Sequence, residues 1–174
     1  MARPSNRDRV LDAYEALLVD GAGATVTLDA VAEAAAVSKG GLLYHFPSKE
    51  ALVDGLAGRL RERAAADVDR LRGAPEGPVA YWVRTANSEV ETGLGRTYQA
   101  LLGLAGTGQP AARAVIAEVE RGWTAALEDL IPDPVVARVV RLVGDGLYLE
   151  SLTGLPGAPD DAALVALLES LARR

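Results

Sequence analysis

Hydrophobic residues recur at helical spacing along almost the whole chain. Val10, Tyr14 and Leu18, for example, lie four residues apart and form one stripe of an α-helix. Ser5 can cap this helix, because Asp8 follows three residues later as its partner in a capping box. No segment keeps the strict alternation of polar and apolar residues that a half-buried strand needs. The pattern therefore predicts an all-α protein.

Three short helices are predicted before Pro47. The first is expected to end at Gly21 and Gly23. Thr27 can cap the second helix and Ser38 the third, since serine and threonine are favoured at helix N-caps. The third helix must stop near Pro47, because the residue before a proline is pushed out of helical geometry.

The rest of the chain is also predicted to be helical. Ser48 can cap a long helix running to about Arg72, and the glycine- and proline-rich stretch 73–78 is the clearest break in the chain. Gly93 and Gly95 are expected to separate the next two helices. After the break, the pattern predicts five helices near 78–93, 96–106, 109–131, 134–154 and 160–173.

Composition narrows the classes of function. The chain has 174 residues, 49% of them hydrophobic, so it can bury a core. Its apolar runs are too short for a membrane span, and its start lacks a signal-peptide pattern. We therefore expect a cytoplasmic protein with no membrane partner. The chain has no cysteine and a single histidine, His45, which argues against metal centres, Ser/His/Asp catalysis and a cofactor.

Residues 27–52 contain the pattern that is most informative about function. A capped helix, a tight turn and a second capped helix follow one another at helix-turn-helix spacing. Gly40 and Gly41 lie in the second helix, where each costs roughly 0.5–1 kcal/mol relative to alanine. Close approach of another backbone, such as a phosphate chain, would explain them. Lys39 and Lys49, the only lysines in a chain with sixteen arginines, flank the same helix.

Because the net charge is −6, any DNA binding has to be local rather than a property of the whole surface.

Residues 5–60 resemble the DNA-binding region of the TetR family of regulators. Two positions differ from the family pattern: Ala36 replaces the usual turn glycine, and the usual tyrosine is Leu43, followed by Tyr44. The matching residues are Thr27, Val31, Ala32, Ala35, Val37, Ser38, Lys39, Gly40, Leu42, His45, Phe46, Ser48, Lys49, Glu50, Ala51 and Leu52.

The resemblance implies that the helix after Ser38 enters the major groove of operator double-stranded DNA. The residues expected nearest to the bases are Ser38, Lys39, Gly40 and Gly41. Those expected to hold phosphates are Thr27, Tyr44, His45 and Lys49. Arg3 and Arg7 could reach the adjacent backbone or minor groove, or belong to a solvated tail, and His45 could instead be a half-buried structural residue.

Aromatic residues with polar neighbours mark a candidate ligand site beyond residue 78. An apolar cavity with a few polar groups would suit a small hydrophobic effector, although aromatic stripes are also common in plain cores. The candidate residues are Tyr81, Trp82, Thr85, Glu89, Tyr98 and Trp123.

The segment 134–154 is apolar nearly all round, so it needs cover on two sides. With the last helix it resembles half of a four-helix dimer interface, which is where TetR-like proteins dimerise. The candidate interface residues are Val136, Val139, Val140, Val143, Leu147, Leu164, Leu168 and Leu171.

These features together predict a ligand-responsive repressor that binds a near-palindromic operator as a homodimer. Residues 1–47 would form the helix-turn-helix domain, and 48–174 the connecting helix with the ligand-binding and dimerisation domain. Two alternatives stay open at this point. One is a helical-bundle enzyme with a metal bound by Glu89, Glu118 and Asp145, and the other is a helical adaptor without a DNA-binding role.

Overall fold

The structure, a computed structural model, describes residues 5–22, 25–88, 93–153 and 161–173. In these ranges the chain is all-α, as predicted, and forms nine α-helices. The helices are α1 (Asn6–Leu17), α2 (Leu28–Ala34), α3 (Lys39–His45), α4 (Lys49–Arg72), α5 (Pro78–Ser88), α6 (Gly93–Gly106), α7 (Pro110–Leu130), α8 (Pro134–Thr153) and α9 (Asp161–Ala172). None of the helices in these ranges is both long and apolar enough to cross a membrane.

The start of α1 confirms the predicted capping box. The Ser5 hydroxyl oxygen accepts a hydrogen bond from the Asp8 backbone N–H at 3.1 Å and donates one to the Asp8 carboxylate at 2.6 Å. The hydrogen bond from Ser5 lowers the pKa of Asp8. After α1, the wider turn Leu18–Ala22 contains Gly21 at φ +92°, a conformation that glycine adopts without steric cost. The predicted stop at Gly23 lies outside the described residues.

The chain folds into two compact units. The N-terminal unit comprises Met1–Arg61 and Arg96–Ala117, and the C-terminal unit comprises Glu62–Gly95 and Glu118–Arg174. The predicted division at residues 47 and 48 concerns function and stays a prediction. The compact units do not follow it, because α6 and the first part of α7 belong with the helix-turn-helix.

The N-terminal unit is built around α1, which contacts α2 and α3. Leu11 and Phe46 are almost completely buried, so both belong to the core of this unit. Gly55 of α4 permits this packing: a Cβ atom there would lie 2.8 Å from Cε1 of Phe46 and 2.9 Å from Cδ2 of Leu11. Glycine is therefore needed at this point of α4.

A buried charge joins α1 to α6 within the same unit. Glu15 is only 6% exposed, and its carboxylate accepts a hydrogen bond from the Thr97 hydroxyl at 2.5 Å. The guanidinium groups of Arg59 and Arg96 lie 3.6 and 4.0 Å from the same carboxylate. A buried carboxylate is tolerated only with such partners, so these contacts help to explain why α6 belongs to this unit.

The C-terminal unit has α5 packed against both α8 and α9. Trp82 of α5 lies directly on α8, where a Cβ atom at Gly144 would be 2.6 Å from Cδ1 of the indole. Its Nε1–H donates to the backbone oxygen of Arg141 at 3.4 Å, and its ring meets Trp123 edge-on at 6.0 Å between centroids. The close approach of α5 and α8 therefore depends on glycine at residue 144.

The prediction that Gly93 and Gly95 separate two helices was wrong, because α6 begins at Gly93 and includes both. Both glycines accept tertiary hydrogen bonds through their backbone oxygens. The Arg63 guanidinium donates to the backbone oxygen of Gly93, and a Cβ atom at Gly93 would lie 3.2 Å from Cζ of Arg63. The Tyr148 hydroxyl donates to the backbone oxygen of Gly95 at 3.2 Å. The preceding helix was predicted to run to residue 93, but residues 89–92 lie outside the described ranges.

Candidate nucleic-acid interface and effector region

The caps of the helix-turn-helix are formed as predicted. The Thr27 hydroxyl oxygen accepts from the Ala30 backbone N–H at 3.2 Å, and the Ser38 hydroxyl oxygen accepts from the Gly41 N–H at 3.0 Å. Both capping residues remain exposed. Each side chain thus fixes the start of a helix while remaining at the surface, where a phosphate could approach it.

The turn between α2 and α3 uses the left-handed conformation that glycine normally supplies. Ala36 adopts φ +52°, the only positive φ at a non-glycine residue in the described chain. The backbone N–H of Ala36 donates to the oxygen of Glu33, and that of Val37 to the oxygen of Ala32, both at 3.0 Å. This pair of bonds is a Schellman motif, which ends α2 and turns the chain toward α3.

Arg9 braces this turn, a role that the sequence analysis missed. Its guanidinium donates from Nη2 to the backbone oxygens of Ala35 at 2.7 Å and Ala36 at 3.1 Å. These carbonyls lie at the C-terminal end of α2, where a cation is favourable. Nothing in the local pattern around Arg9 could reveal a partner 26 residues away.

The N-terminal half of α3 presents an exposed surface. Ser38, Lys39 and Gly40 are exposed, and Gly41 is half-buried. A Cβ atom at Gly40 would meet nothing within 4 Å, so no contact in the described protein accounts for this glycine. Lys39 forms an ion pair with Asp29 of α2, with Nζ 2.8 Å from Oδ1.

The other predicted DNA contacts in the described part of the chain lie on α1, in α3 and at the start of α4. Tyr44 is 85% exposed and meets His45 edge-on, with ring centroids 5.0 Å apart. His45 and Lys49 are half-buried, and the Ser48 hydroxyl oxygen caps α4 by accepting from the Ala51 N–H at 3.2 Å. Arg7 lies on α1 with its guanidinium 5.4 Å from the Phe46 ring centroid, so it is not part of a loose tail. Arg3 lies outside the described residues.

Four of the candidate ligand residues lie in the C-terminal unit and are packed in its interior. Tyr81, Trp82, Thr85 and Trp123 are each at most 9% exposed. The Thr85 hydroxyl donates to the backbone oxygen of Tyr81 at 2.9 Å, a bond within α5. Tyr98 lies on α6 in the N-terminal unit and is half-buried, and Glu89 is outside the described residues.

Asp67 of α4 organises two of these aromatic residues, a role that no pattern in the sequence indicates. Its buried carboxylate accepts hydrogen bonds from the Tyr81 hydroxyl at 2.7 Å and from Trp123 Nε1 at 3.0 Å. Arg70 lies 3.3 Å from the same carboxylate. Burial, reinforced by the hydrogen bond to Asp67, raises the pKa of Tyr81 to about 12, so the phenol stays neutral. The cluster is a polar centre within an aromatic core.

A second charged group in this unit links α7 and α8. The Arg141 guanidinium pairs with Glu120 and lies 3.1 Å from Asp145. Burial raises the pKa of Asp145. Across the described ranges, no three histidine or acidic side chains come together as a metal site. The metal-enzyme alternative gains no support from these residues.

A cleft of about 560 Å³ opens between α5 and α9, apart from the aromatic cluster. None of the predicted ligand residues lines it. The residues that do are Glu76, Ala80, Val83, Arg84, Ala162, Val165, Ala166 and Glu169.

The candidate interface residues on α8 and α9 divide into two groups. Val140, Leu147 and Leu168 are at most 6% exposed, because this side of α8 and α9 packs inside the unit. They are core residues of a single chain rather than surface available to a second copy. The others, half-buried except for Val139 at 39% exposure, are Val136, Val139, Val143, Leu164 and Leu171.

The exposed side of α8 carries a different apolar row. Val135, Val139, Leu142 and Leu149 follow helical spacing and are between 39% and 69% exposed. Leu167 of α9 is 58% exposed. We call these five residues the apolar row. Only Val139 of this row was among the predicted interface residues, and the row is the apolar surface that a second copy could reach.

These features define a helix-turn-helix protein with a second, helical unit. Comparison with family models identifies the family of helix-turn-helix proteins to which this chain belongs. Residues 10–56 match the model described as bacterial regulatory proteins, tetR family, and residues 76–173 match the tetracyclin repressor-like C-terminal domain. The chain belongs to the TetR family of transcriptional regulators. The second match begins within the glycine- and proline-rich break at 73–78.

Solved structures agree with this assignment. A TetR-family member from Streptomyces coelicolor is 29% identical, with a TM-score of 0.71 over 97% of this chain and 98% of that chain. The multidrug binding protein EbrR in complex with malachite green is 26% identical, with a TM-score of 0.73 over 97% of this chain and 98% of that chain. Comparison with curated proteins finds no match.

Proposed function

We propose that this protein is a ligand-responsive repressor that binds a near-palindromic operator as a homodimer. The observation that carries the proposal is the exposed N-terminal end of α3, capped by Ser38, where Lys39 and Gly40 face outward. No catalytic step forms part of the proposal. The function lies in binding and in its regulation.

The chemistry of α3 fits a duplex groove. The unbonded N–H groups at a helix N-terminus favour an anion, and a lysine can donate to the O6 and N7 acceptors of guanine in the major groove. The open space around Gly40 would let the helix come close to DNA. We expect half-buried Lys49 and exposed Tyr44 to bind flanking phosphates, which would set the register of the helix on the duplex.

The apolar row supports a homodimer. Four exposed aliphatic side chains along one stripe of α8 and one on α9 would be covered by the same residues of a second copy. A twofold dimer presents two α3 helices, which match two half-sites about one helical turn apart in a palindrome. Dimerisation would therefore account for the exposed apolar row, and it predicts a near-palindromic operator.

The aromatic cluster around Asp67 supports regulation by a small molecule. The multidrug binding protein EbrR, whose fold is similar, has structures in complex with malachite green, ethidium and imidazole. We infer that a small hydrophobic effector binds the C-terminal unit of this chain through Trp82 and Trp123. Since both are at most 9% exposed, the effector would have to select an opened arrangement, and its differential affinity for the two arrangements would set the response.

Selection of bound duplexes from a random pool tests the proposal and yields the operator. Lys39→Ala is then expected to weaken operator binding by about 1–3 kcal/mol and random-DNA binding by less. Lys49→Ala should weaken binding to all sequences and reduce the salt slope by roughly one unit. Affinities measured by fluorescence titration decide the matter. Recovery of no common sequence, or equal losses on both DNAs for Lys39→Ala, would contradict base readout by α3.

A further inference from the structure

The ion pair between Lys39 and Asp29 occupies the surface that is proposed to meet DNA. Lys39 is the first residue of α3, and Asp29 lies in the first turn of α2. We propose that Asp29 is a specificity-determining residue, an inference that rests on the proposed function. It holds Lys39 for base contact and penalises the binding of random DNA.

The two ends of this pair differ in how well they suit their helices. Asp29 is favoured in the first turn of α2, because the N-terminus of a helix carries partial positive charge. Lys39 at the start of α3 is disfavoured for the same reason. Asp29 offsets this unfavourable position. The position of Lys39 is thus unfavourable within α3 itself, and the ion pair with Asp29 compensates for it.

The ammonium group of Lys39 can serve Asp29 and a base at once. It carries three N–H donors, so one can stay with the Asp29 carboxylate while the others reach acceptors on a base edge. A phosphate contact is different. A phosphate is itself an anion, so the contact brings the Asp29 carboxylate and a second anion together whether Lys39 stays with Asp29 or moves to the phosphate, and this is repulsive, whereas a base edge is uncharged. Asp29 therefore favours sites where Lys39 reads a base over sites where it only neutralises phosphate.

The exposure of the pair sets the size of the effect. The side chains of Lys39 and Asp29 are 62% and 69% exposed, so solvent screens the pair and it can be broken by DNA. An exposed pair of this kind changes an equilibrium by about fivefold or less. Asp29 would tune discrimination and would not decide whether DNA is bound.

Asp29→Asn tests the proposal, because asparagine keeps the shape and removes the charge. The full chain is titrated with the duplex selected by the wild-type protein and with a random-sequence duplex, over a range of salt. We expect affinity for random DNA to rise by about fivefold, operator affinity to rise less, and the salt slope on random DNA to steepen by roughly one unit. The ratio of operator to random affinity falls.

Two controls separate this mechanism from a general charge effect. Glu33→Gln removes the same charge from an exposed residue of α2 but leaves the pair intact, and should leave the affinity ratio near the wild-type value. In a Lys39→Met background, Asp29→Asn should no longer alter the ratio. An equal rise on both DNAs, an equal effect of Glu33→Gln, or persistence of the effect without Lys39 would each overturn the role of Asp29.

Selection of an operator by the wild-type protein distinguishes a failure of the proposed function from a failure of the role proposed for Asp29. If wild-type protein selects no sequence, the proposed function fails, and the role of Asp29 fails with it. If the wild-type protein selects an operator and Asp29→Asn leaves discrimination unchanged, only the role of Asp29 is overturned. A thermal melt of each variant verifies that the fold is intact.

Discussion

At the scale of single residues, Ala36 bears a conformational cost in the turn of the helix-turn-helix. Its φ of +52° lies in the left-handed region, where a Cβ atom is unfavourable by about 1–2 kcal/mol. The surrounding bonds impose this conformation: the Schellman pair from Ala36 and Val37, and the two bonds from Arg9. The turn therefore works without the usual glycine, at some expense of stability.

Ala36→Gly is expected to raise the free energy of unfolding by about 1 kcal/mol, because glycine adopts this φ freely. Urea denaturation followed by circular dichroism measures the change. Ala34→Gly, on the neighbouring turn inside α2, provides the control and should lower stability by about 0.5–1 kcal/mol. A loss of stability in Ala36→Gly would show that the turn is not strained.

Gly40 allows a second prediction at this scale, since stability and binding should change in opposite directions. Gly40→Ala is expected to raise the free energy of unfolding by about 0.5–1 kcal/mol through helix propensity, as no atom lies near its Cβ position. It should weaken operator binding, because the added methyl group would stand between α3 and the duplex.

Gly103→Ala is the matched control for Gly40→Ala. Gly103 is exposed within α6, and a Cβ atom there would also meet nothing within 4 Å. This variant should gain similar stability and bind operator as the wild type does. Equal operator affinity in both variants would remove Gly40 from the DNA surface.

At the scale of an element, the N-terminus of α1 is stabilised by the reciprocal bonds between Ser5 and Asp8. Ser5→Ala is expected to lower the free energy of unfolding at neutral pH by about 1 kcal/mol. The pKa of Asp8 in the folded chain lies below its ordinary 3.8, so its contribution is present above pH 3.8 and is lost as the pH falls through the folded value. The difference between wild type and variant should therefore shrink in acid.

Denaturation at pH 7 and near pH 3 measures this dependence. Thr27→Ala removes the cap of α2, whose third helical residue is Ala30 rather than an acid, and its cost should stay nearly constant over the same interval. A Ser5→Ala difference that does not change with pH would show that the Asp8 carboxylate contributes nothing to the cap.

At the scale of the whole molecule, the apolar row determines the expected assembly. Leu142→Asp would place a carboxylate in the proposed dimer interface, where an unpaired charge costs several kcal/mol. We expect a monomer at micromolar concentration and a loss of tight operator binding. Sedimentation velocity measures the first and fluorescence titration the second. Leu142 suits this test better than half-buried Val143, where a charge could also unfold the C-terminal unit.

Leu102→Asp provides the control for assembly. Leu102 is 41% exposed on α6, comparable to Leu142 at 55%, and the substitution adds the same charge outside the apolar row. It should leave the dimer intact. If Leu102→Asp separates the copies while Leu142→Asp does not, the interface lies elsewhere.

Much of the secondary structure can be predicted from the sequence alone, because the interactions that specify it are local. The caps at Ser5, Thr27, Ser38 and Ser48 join residues only three apart, and all four were predicted correctly. The helix-turn-helix followed from the same short-range spacing, and the family from the resemblance of residues 5–60 to the TetR DNA-binding region. Helical periodicity also predicted the later helices, since a period near 3.6 does not depend on what a face contacts.

Contacts between residues far apart in the chain could be read only from the tertiary structure. Arg9 reaches carbonyls 26 residues away, and Asp67 collects donors from α5 and α7, contacts that no spacing rule contains. Periodicity likewise could not say which side of the nearly all-apolar α8 packs inside. The fold buries Val140 and leaves Leu142 exposed, because α5 and α9 cover one side of α8 within the unit and leave the other side open.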